Sequence, residues 1–180
     1  MAEEKLGYKY YEKLNGKVPH VKIYLAHPFF NERQKELTAQ AIEYLEQNDT
    51  VAVVHEPFQT QYKDVMIDND PLGLFGSREW IQNTYQNDIS ALSSSDCGVF
   101  IYDMDKPDDG TAYELGAMRA LHKPCIVIPF SEGPKKDYEM NLMIAAGATA
   151  FIDGNEHFED LASYGFNHLP SDMTCPFPVF

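Results

Sequence analysis

Five short apolar segments, separated by stretches with helical periodicity, constrain the fold of this chain more than any other feature. Each segment is rich in Val and Ile and nearly continuous rather than alternating, which is typical of parallel strands buried on both faces. Strands that alternate with helices in this way predict a doubly wound α/β domain of about five parallel strands. The segments are Val21–Ala26, Val51–Phe58, Cys97–Asp103, Cys125–Phe130 and Ala148–Asp153.

Helical patterns fill the intervals between these strands, and one long connection interrupts them. Asn31 is suited to cap the first helix, because its side chain can accept a hydrogen bond from a backbone N–H in the first turn. Segment 59–76 is long and polar and contains a proline and two glycines. A connection of this length is either a lid or binding loop, or a mobile surface loop. The helices are predicted at 31–47, 77–92, 111–122, 141–146 and 156–164.

Composition limits the classes of function that the chain can serve. It has 180 residues, of which 44% are hydrophobic, and this suits one globular domain with a sizeable core. The net charge is −14, with only 14 Lys and Arg residues. Nucleic acid is therefore not an expected partner, because polyanion binding needs clustered Lys and Arg.

The sequence also lacks motifs for membranes and metals. No stretch approaches the ~18 apolar residues of a membrane span, and the N-terminal residues lack the apolar core of a signal peptide. The three cysteines form no CxxC pair, and the six histidines show no HxH or HExxH spacing, so no metal site is expected. These features predict a cytoplasmic protein.

A carboxylate on the apolar face of a predicted helix is the first unusual feature. In the helix at 111–122, Glu114 falls within the apolar arc of Leu115, Met118 and Leu121. A buried Glu is costly unless it has a partner or a function. Glu114 is therefore either a helix-edge residue that reaches water or an arginine, or part of a site.

The helix predicted at 77–92 repeats this feature. Asp88 lies in its apolar arc, on one i,i+4 row with Trp80, Thr84 and Leu92. Asp is a poor helix-interior residue and is rarely buried without a partner. Two such carboxylates on separate helices suggest a site, and desolvation is expected to raise the pKa of Asp88. The remaining members of the arc are Ile81, Tyr85 and Ile89.

The acidic loop after the strand at 97–103 lies where open α/β sheets bind ligands, beyond the carboxyl ends of the strands. Asp103, Asp105, Asp108 and Asp109 all surround this crevice. A solvated turn with a helix N-cap accounts for Asp103, Asp105 and one of the other two.

Aromatic residues flank the same crevice. The strand at 21–26 brings Tyr24 to it, and Phe29 and Phe30 follow shortly after. A flat aromatic wall beside paired carboxylates suits a planar heterocycle. Of the two phenylalanines, Phe30 is the stronger candidate for core packing.

No phosphate cradle or nucleophile motif accompanies the carboxylates. The sequence contains no GxGxxG after the first strand, no GxxxxGK[ST] and no GxSxG. This leaves carboxylate chemistry on a neutral, planar ligand. A nucleophilic Glu and an acidic Asp could cleave a glycosidic C–N bond, since one can attack the anomeric carbon while the other protonates the leaving base.

Four motifs extend over nearly the whole chain after about Pro19: KIYLAHPFF, TYQNDISAL, CGVFIYDMDKPDDGTAYELGAMRALHKP and NLMIAAG. Together they resemble the nucleoside 2-deoxyribosyltransferase family. The resemblance implies a flavodoxin-like subunit in a homo-oligomer, commonly a hexamer, with sites shared between neighbours. It implies transfer of 2-deoxyribose from a 2′-deoxynucleoside to a free base in two displacements, with retention and without a cofactor. Residues 1–19 are then an N-terminal extension and 20–180 the family domain.

The resemblance also implies roles for the carboxylates. Glu114 matches the nucleophile, and Asp88 matches the carboxyl that assists proton transfer at the base. Tyr24 matches a phenol that positions the nucleophile, and Asp108 matches a further carboxylate at the sugar or base. With Phe29 of the aromatic wall, these residues form the predicted site.

The implied base specificity and subunit contacts rest on four more residues. CGVFIYDMD and DDGTAYELG are similar to the purine-restricted branch, whereas Gln61 matches a base-edge contact of the broad-specificity branch, which also takes pyrimidines. Asn141 and Met143 match residues that an adjacent subunit lends to the sugar. Many members end in tyrosine but this chain ends in Phe180, so only its terminal carboxylate is expected to reach a neighbouring site.

Two other functions fit parts of the pattern. The first is a nucleoside or deoxynucleotide N-hydrolase, in which water resolves the glycosyl-enzyme. Hydrolases that act on monophosphates need an anion cradle after the first strand, and AHPFF does not offer one. The second is a non-catalytic nucleoside-binding module, which gains nothing from buried carboxylates that are costly when unpaired.

Overall fold

The computed structural model describes residues 21–169 and 174–180, and its centre is a parallel sheet of five strands. The strand order is β2-β1-β3-β4-β5. This is the flavodoxin-like order, so the predicted fold class is confirmed. The predicted extension at 1–19 lies outside the described residues. The strands are β1 (Val21–Ala26), β2 (Val51–His55), β3 (Cys97–Asp103), β4 (Cys125–Phe130) and β5 (Ala150–Phe151).

Polar side chains set where the helices begin. Asn31 caps α1 by accepting a hydrogen bond from the Gln34 N–H at 2.8 Å, and the Gln34 side chain accepts one in return from the Asn31 N–H at 3.3 Å. α3 begins two residues before the predicted start, because Asp108 caps it by accepting from the Thr111 N–H at 2.7 Å. The α-helices are α1 (Glu32–Gln47), α2 (Arg78–Ser94), α3 (Asp109–Ala120) and α4 (Leu142–Gly147).

Helices cover both faces of the sheet. On one face Ile23 and Leu25 of β1 pack in a cluster with residues of α1. On the other face Tyr24 and Ala26 pack with residues of α2, α3 and α4, among them Leu115. Because side chains of a strand alternate between faces, Tyr24 is directed towards α3.

Two strands and one helix are shorter than predicted. β2 ends at His55, because Glu56 caps a 3₁₀ turn that begins at Pro57. β5 contains two residues instead of the predicted six. In place of the helix predicted at 156–164, the chain forms a 3₁₀ turn at Phe158–Ala162.

Parts of the two predicted apolar arcs face outward. Leu115 and Met118 of α3 are buried as expected, but Leu121 is 48% exposed. On α2, Ile81 and Tyr85 are also half-exposed. The prediction that these three side chains are buried is wrong for the single chain, because no other described element covers them.

The long connection packs against the rest of the protein. Val65 is fully buried, and the Trp80 indole Nε1 donates a hydrogen bond to its carbonyl at 2.9 Å. The Asp70 side chain accepts hydrogen bonds from the backbone N–H groups of Leu74 and Phe75. These contacts favour the binding-loop alternative. None of the helices within 21–169 and 174–180 is long and apolar enough to cross a membrane.

Candidate active site

A cleft of about 300 Å³ lies beyond the carboxyl ends of the central strands. β1 has β2 on one side and β3 on the other, and such a reversal of strand order is where open α/β sheets bind ligands. Asp88 of α2 and Glu114 of α3 both line this cleft. The structure therefore brings the two unusual carboxylates together.

A buried phenol holds Glu114. The Tyr24 hydroxyl donates a hydrogen bond to Glu114 Oε1 at 2.7 Å. Tyr24 is fully buried, and its ring stacks on His55 at a centroid distance of 5.6 Å. Burial and the Glu114 charge raise the pKa of Tyr24 well above its usual value, so the phenol stays a donor. Glu114 thus has a buried hydrogen-bond partner and faces the cleft, which favours the site over the helix-edge alternative.

The electrostatic environment of Glu114 favours its neutral form. Its pKa is raised to about 7, mainly by burial and to a smaller extent by the charges of Asp88 and Asp108. The hydrogen bond from Tyr24 and the charge of His27 act in the opposite direction. Both the neutral and the ionised form of this carboxyl are therefore accessible near neutral pH.

Asp88 has an equally perturbed environment. Burial, with a smaller contribution from the Glu56 charge, raises its pKa to about 6, which confirms the predicted direction and cause. Its Oδ1 atom is buried and has no hydrogen-bond partner in the described part of the chain. Asp88 can therefore exchange a proton with a ligand near neutral pH.

The acidic loop after β3 divides into structural and cleft-facing residues. Asp108 lines the cleft and uses Oδ2 to cap α3, accepting from both the N–H and the hydroxyl of Thr111 at 2.7 Å. Asp103 is buried, which corrects the expectation of a solvated turn. It accepts hydrogen bonds from Gln34 Nε2 at 2.7 Å and from the Asp105 N–H at 2.9 Å, so it joins β3 to α1.

Aromatic side chains form a wall of the cleft, to which Phe29 belongs as predicted. Phe29 lines the cleft and makes an edge-to-face contact with Phe58, with the ring centroids 4.2 Å apart. Trp80 lines it as well and packs against Phe75. Phe30 lies outside this wall and is 52% exposed, so the expectation that it packs in the core is wrong. A planar ring can lie against this wall.

The connection after β2 supplies the rest of the wall. Gln61 lines the cleft, and its Nε2 donates to the Pro57 carbonyl at 3.0 Å. Met66 and Ile67 of the same segment also line it. No group of His, Cys, Asp and Glu in the described ranges is arranged to hold a metal ion.

The sequence interpretation did not identify the pair that anchors this connection. His27 Nε2 lies 2.7 Å from Glu56 Oε1, and both side chains are almost fully buried. Glu56 also accepts hydrogen bonds from the N–H groups of Phe58 and Gln59. His27 directly follows β1 and Glu56 directly follows β2, and Tyr24 of β1 is in register with His55 of β2. The sequence pattern does not show that β1 and β2 are neighbours in the sheet, and without that information the pair cannot be recognised.

Comparison with known proteins decides the family. A sequence model described as "Nucleoside 2-deoxyribosyltransferase" matches residues 23–143 of the chain. The chain belongs to the nucleoside 2-deoxyribosyltransferase family. It is accordingly an enzyme of this type.

Individual deoxyribosyltransferases are similar over most of the chain. The nucleoside deoxyribosyltransferase of Limosilactobacillus fermentum is 48% identical over 163 residues, which are 91% of this chain and 96% of that protein. That of Lactobacillus leichmannii is 29% identical over 130 residues, which are 70% of this chain and 80% of that protein. The solved 2-deoxyribosyltransferase of Bacillus psychrosaccharolyticus is 31% identical with a TM-score of 0.66, covering 86% of this chain and 99% of that one.

Three predicted site residues of this deoxyribosyltransferase lie away from the cleft. Asn141 caps α4 by accepting from the Met143 N–H at 2.8 Å. Phe180 lies beside them, because its N–H donates to the Met140 carbonyl and its carbonyl accepts from the Leu142 N–H. Met143 and Phe180 are 71% and 60% exposed. Within one chain, these residues form a surface cluster and do not contact the cleft.

Proposed function

We propose that this deoxyribosyltransferase exchanges the nucleobase of a 2′-deoxynucleoside by two displacements with net retention. In the first, a Glu114 carboxylate oxygen bonds to C1′, the C1′–N bond breaks, and the leaving base takes a proton from the Asp88 carboxyl. In the second, a nitrogen of the acceptor base bonds to C1′, the C1′–O bond to Glu114 breaks, and Asp88 takes the proton that the acceptor loses. The main support is that Glu114, hydrogen bonded to Tyr24, and Asp88 line one cleft.

The raised pKa values supply the proton that this cycle needs. With pKa values of about 7 for Glu114 and about 6 for Asp88, the two carboxyls together hold about one proton between these pH values. The reactive form has that proton on Asp88. It is the minor form in the free enzyme, because Glu114 has the higher pKa and holds most of the proton. The Tyr24 hydrogen bond increases the share of the reactive form, because it stabilises the Glu114 carboxylate.

Purines are the proposed preferred bases. The support is the similarity of CGVFIYDMD and DDGTAYELG to the purine-restricted branch, together with the aromatic wall that contains Phe29 and Phe58. Gln61 lines the cleft and is the residue that would admit pyrimidines. Base preference therefore depends on how this side chain meets the base edge.

We also propose a homo-oligomer, with a hexamer as its expected form, in which neighbours share sites. Asn141, Met143 and Phe180 would then reach the sugar in an adjacent cleft. The exposed apolar side chains support this arrangement, because Leu121 and Met143 leave surfaces that a second subunit could cover. Residues 20–180 would form the catalytic domain after an extension at 1–19. A cytoplasmic location is proposed from the three free thiols.

Substrate exchange followed by chromatography tests the function directly. The protein is incubated with 2′-deoxyinosine and adenine, and separately with thymidine and adenine. Deoxyadenosine from the first mixture alone is expected, as evidence of purine-restricted transfer. Deoxyadenosine from both would replace purine preference by broad specificity.

Two other outcomes would contradict the proposal. Hypoxanthine and free deoxyribose without deoxyadenosine would identify water as the acceptor, and the enzyme would be an N-hydrolase. No turnover in either mixture would remove the proposed reaction for these substrates. An active Glu114→Gln variant would exclude the glycosyl-Glu114 intermediate.

A further inference from the structure

Two oxygen atoms in the cleft lack hydrogen-bond partners. Among residues 21–169 and 174–180, the buried side-chain oxygens without a partner are Thr84 Oγ1, Asp88 Oδ1 and Asn167 Oδ1. Thr84 and Asp88 are one turn apart on α2, and both line the cleft. A buried polar group without a partner is costly, so such atoms in a cleft indicate a ligand.

The behaviour of Thr84 differs from that of other helical hydroxyls in the protein. The Thr38 hydroxyl in α1 donates to the Gln34 carbonyl four residues earlier at 2.9 Å, and the Ser90 hydroxyl in α2 donates to the Gln86 carbonyl at 2.6 Å. This bond to the preceding turn is the usual way to satisfy a helical Ser or Thr. Thr84 is 92% buried, since its relative exposure is 8%, and makes no such bond.

The row of Trp80, Thr84 and Asp88 on α2 links the long connection to the reacting end of the cleft. Trp80, one turn before Thr84, is bound to the Val65 carbonyl of the long connection. Asp88, one turn after Thr84, is close enough to Glu114 for its charge to raise the pKa of that carboxyl. Thr84 therefore lies between the connection and the reacting end of the cleft. A base whose glycosidic nitrogen is at Glu114 would direct its far edge towards Thr84.

We infer that the Thr84 hydroxyl binds the exocyclic group of the nucleobase, which is position 6 of a purine. This inference rests on the proposed function for the orientation of the base. A hydroxyl can donate to a keto oxygen or accept from an amino group. Thr84 thus binds adenine and hypoxanthine alike, and it favours both over a purine without a 6-substituent.

Calorimetric binding of free bases tests the inference without turnover. Adenine, hypoxanthine and unsubstituted purine are titrated into the wild type, Thr84→Val, Thr84→Ser and Thr84→Ala. Thr84→Val should weaken adenine and hypoxanthine binding about five- to tenfold, which is the range for one lost hydrogen bond. Binding of unsubstituted purine should stay the same. Thr84→Ser should restore adenine binding, and Thr84→Ala should resemble Thr84→Val.

A melting experiment separates this role from a structural one. In the ligand-free protein, Thr84→Val should melt at the same or a higher temperature, because a methyl group replaces an unsatisfied hydroxyl. Thr38→Val is the matched control, since it removes a satisfied buried hydroxyl; it should melt lower and bind all three bases like the wild type.

Three results would overturn the inference. The first is an equal loss of binding affinity for unsubstituted purine and adenine in Thr84→Val. The second is unchanged adenine affinity in that variant, and the third is no binding of any base to the wild type. Normal base binding with the expected Thr84 effects, but without deoxyribosyl transfer, would instead refute the proposed function and leave the inference in place.

Discussion

The buried pair of His27 and Glu56 offers a quantitative test of how the cleft wall is held. Its side chains are 5% and 6% exposed, and the two atoms are 2.7 Å apart. Glu56 also accepts hydrogen bonds from the N–H groups of Phe58 and Gln59. Replacing Glu56 by Ala therefore leaves a buried imidazole and two backbone donors without their partner.

The expected loss of stability follows from these contacts. Removing one partner of a buried pair costs about 3–5 kcal/mol, and the lost N-cap alone accounts for about 1 kcal/mol. For a chain of this size, the melting temperature should fall by roughly 10 °C. His27→Ala should show a similar loss, and the double variant should lose about 2 kcal/mol less than the sum of the single variants.

Urea unfolding at fixed protein concentration measures these differences. The exposed pair of Lys63 and Glu79, also close at 2.9 Å, is the matched control, and Glu79→Ala should leave the midpoint unchanged. A double-variant cycle without coupling would refute the reasoning. Equal losses in Glu56→Ala and Glu79→Ala would refute it as well.

The remaining predictions concern the reacting groups. Glu114→Ala should abolish transfer and any glycosyl-enzyme adduct seen by mass spectrometry, while its circular dichroism spectrum stays that of the wild type. If Glu114→Ala instead unfolds and Glu114→Gln is active, the role of Glu114 is structural. The wild type should have a bell-shaped pH–rate profile with limbs near about 6 and about 7, the two apparent pKa values of the Asp88 and Glu114 pair, and Asp88→Asn should move or remove the basic limb. An unchanged limb would exclude Asp88 from proton transfer. Tyr24→Phe removes the hydrogen bond that lowers the pKa of Glu114, so this pKa should rise further. The transfer rate at pH 7 should then fall about tenfold or more. A wild-type rate would show that Glu114 does not need the phenol.

Local sequence patterns were sufficient to predict the fold class and many of the residues that line the cleft. Continuous apolar segments gave the strand positions, and Asn31 marked the first helix because its cap depends on near neighbours in sequence. Glu114 and Asp88 stood out because each carboxylate interrupts an apolar arc. The structure confirms that they share a cleft, whereas their catalytic roles stay predictions.

These local patterns could not predict contacts between residues that are far apart in the sequence. Asp103 was expected to be solvated, but Gln34 of α1 donates a hydrogen bond to it in the interior. Val53 resembled a residue of a fully buried strand, yet β2 is an edge strand and this side chain is half-exposed. His27 and Glu56 are unremarkable until the order of β1 and β2 is known. In each case the deciding neighbour lies on another element.

The position of Trp80 has a practical consequence, because it is the only tryptophan in the sequence. Its indole lines the cleft, packs against Phe75 and is hydrogen bonded to Val65 of the long connection. The protein thus carries a single intrinsic fluorophore at the place where a base would stack. Its emission can report occupancy of the cleft and displacement of the connection in real time, without a label and without background from a second indole.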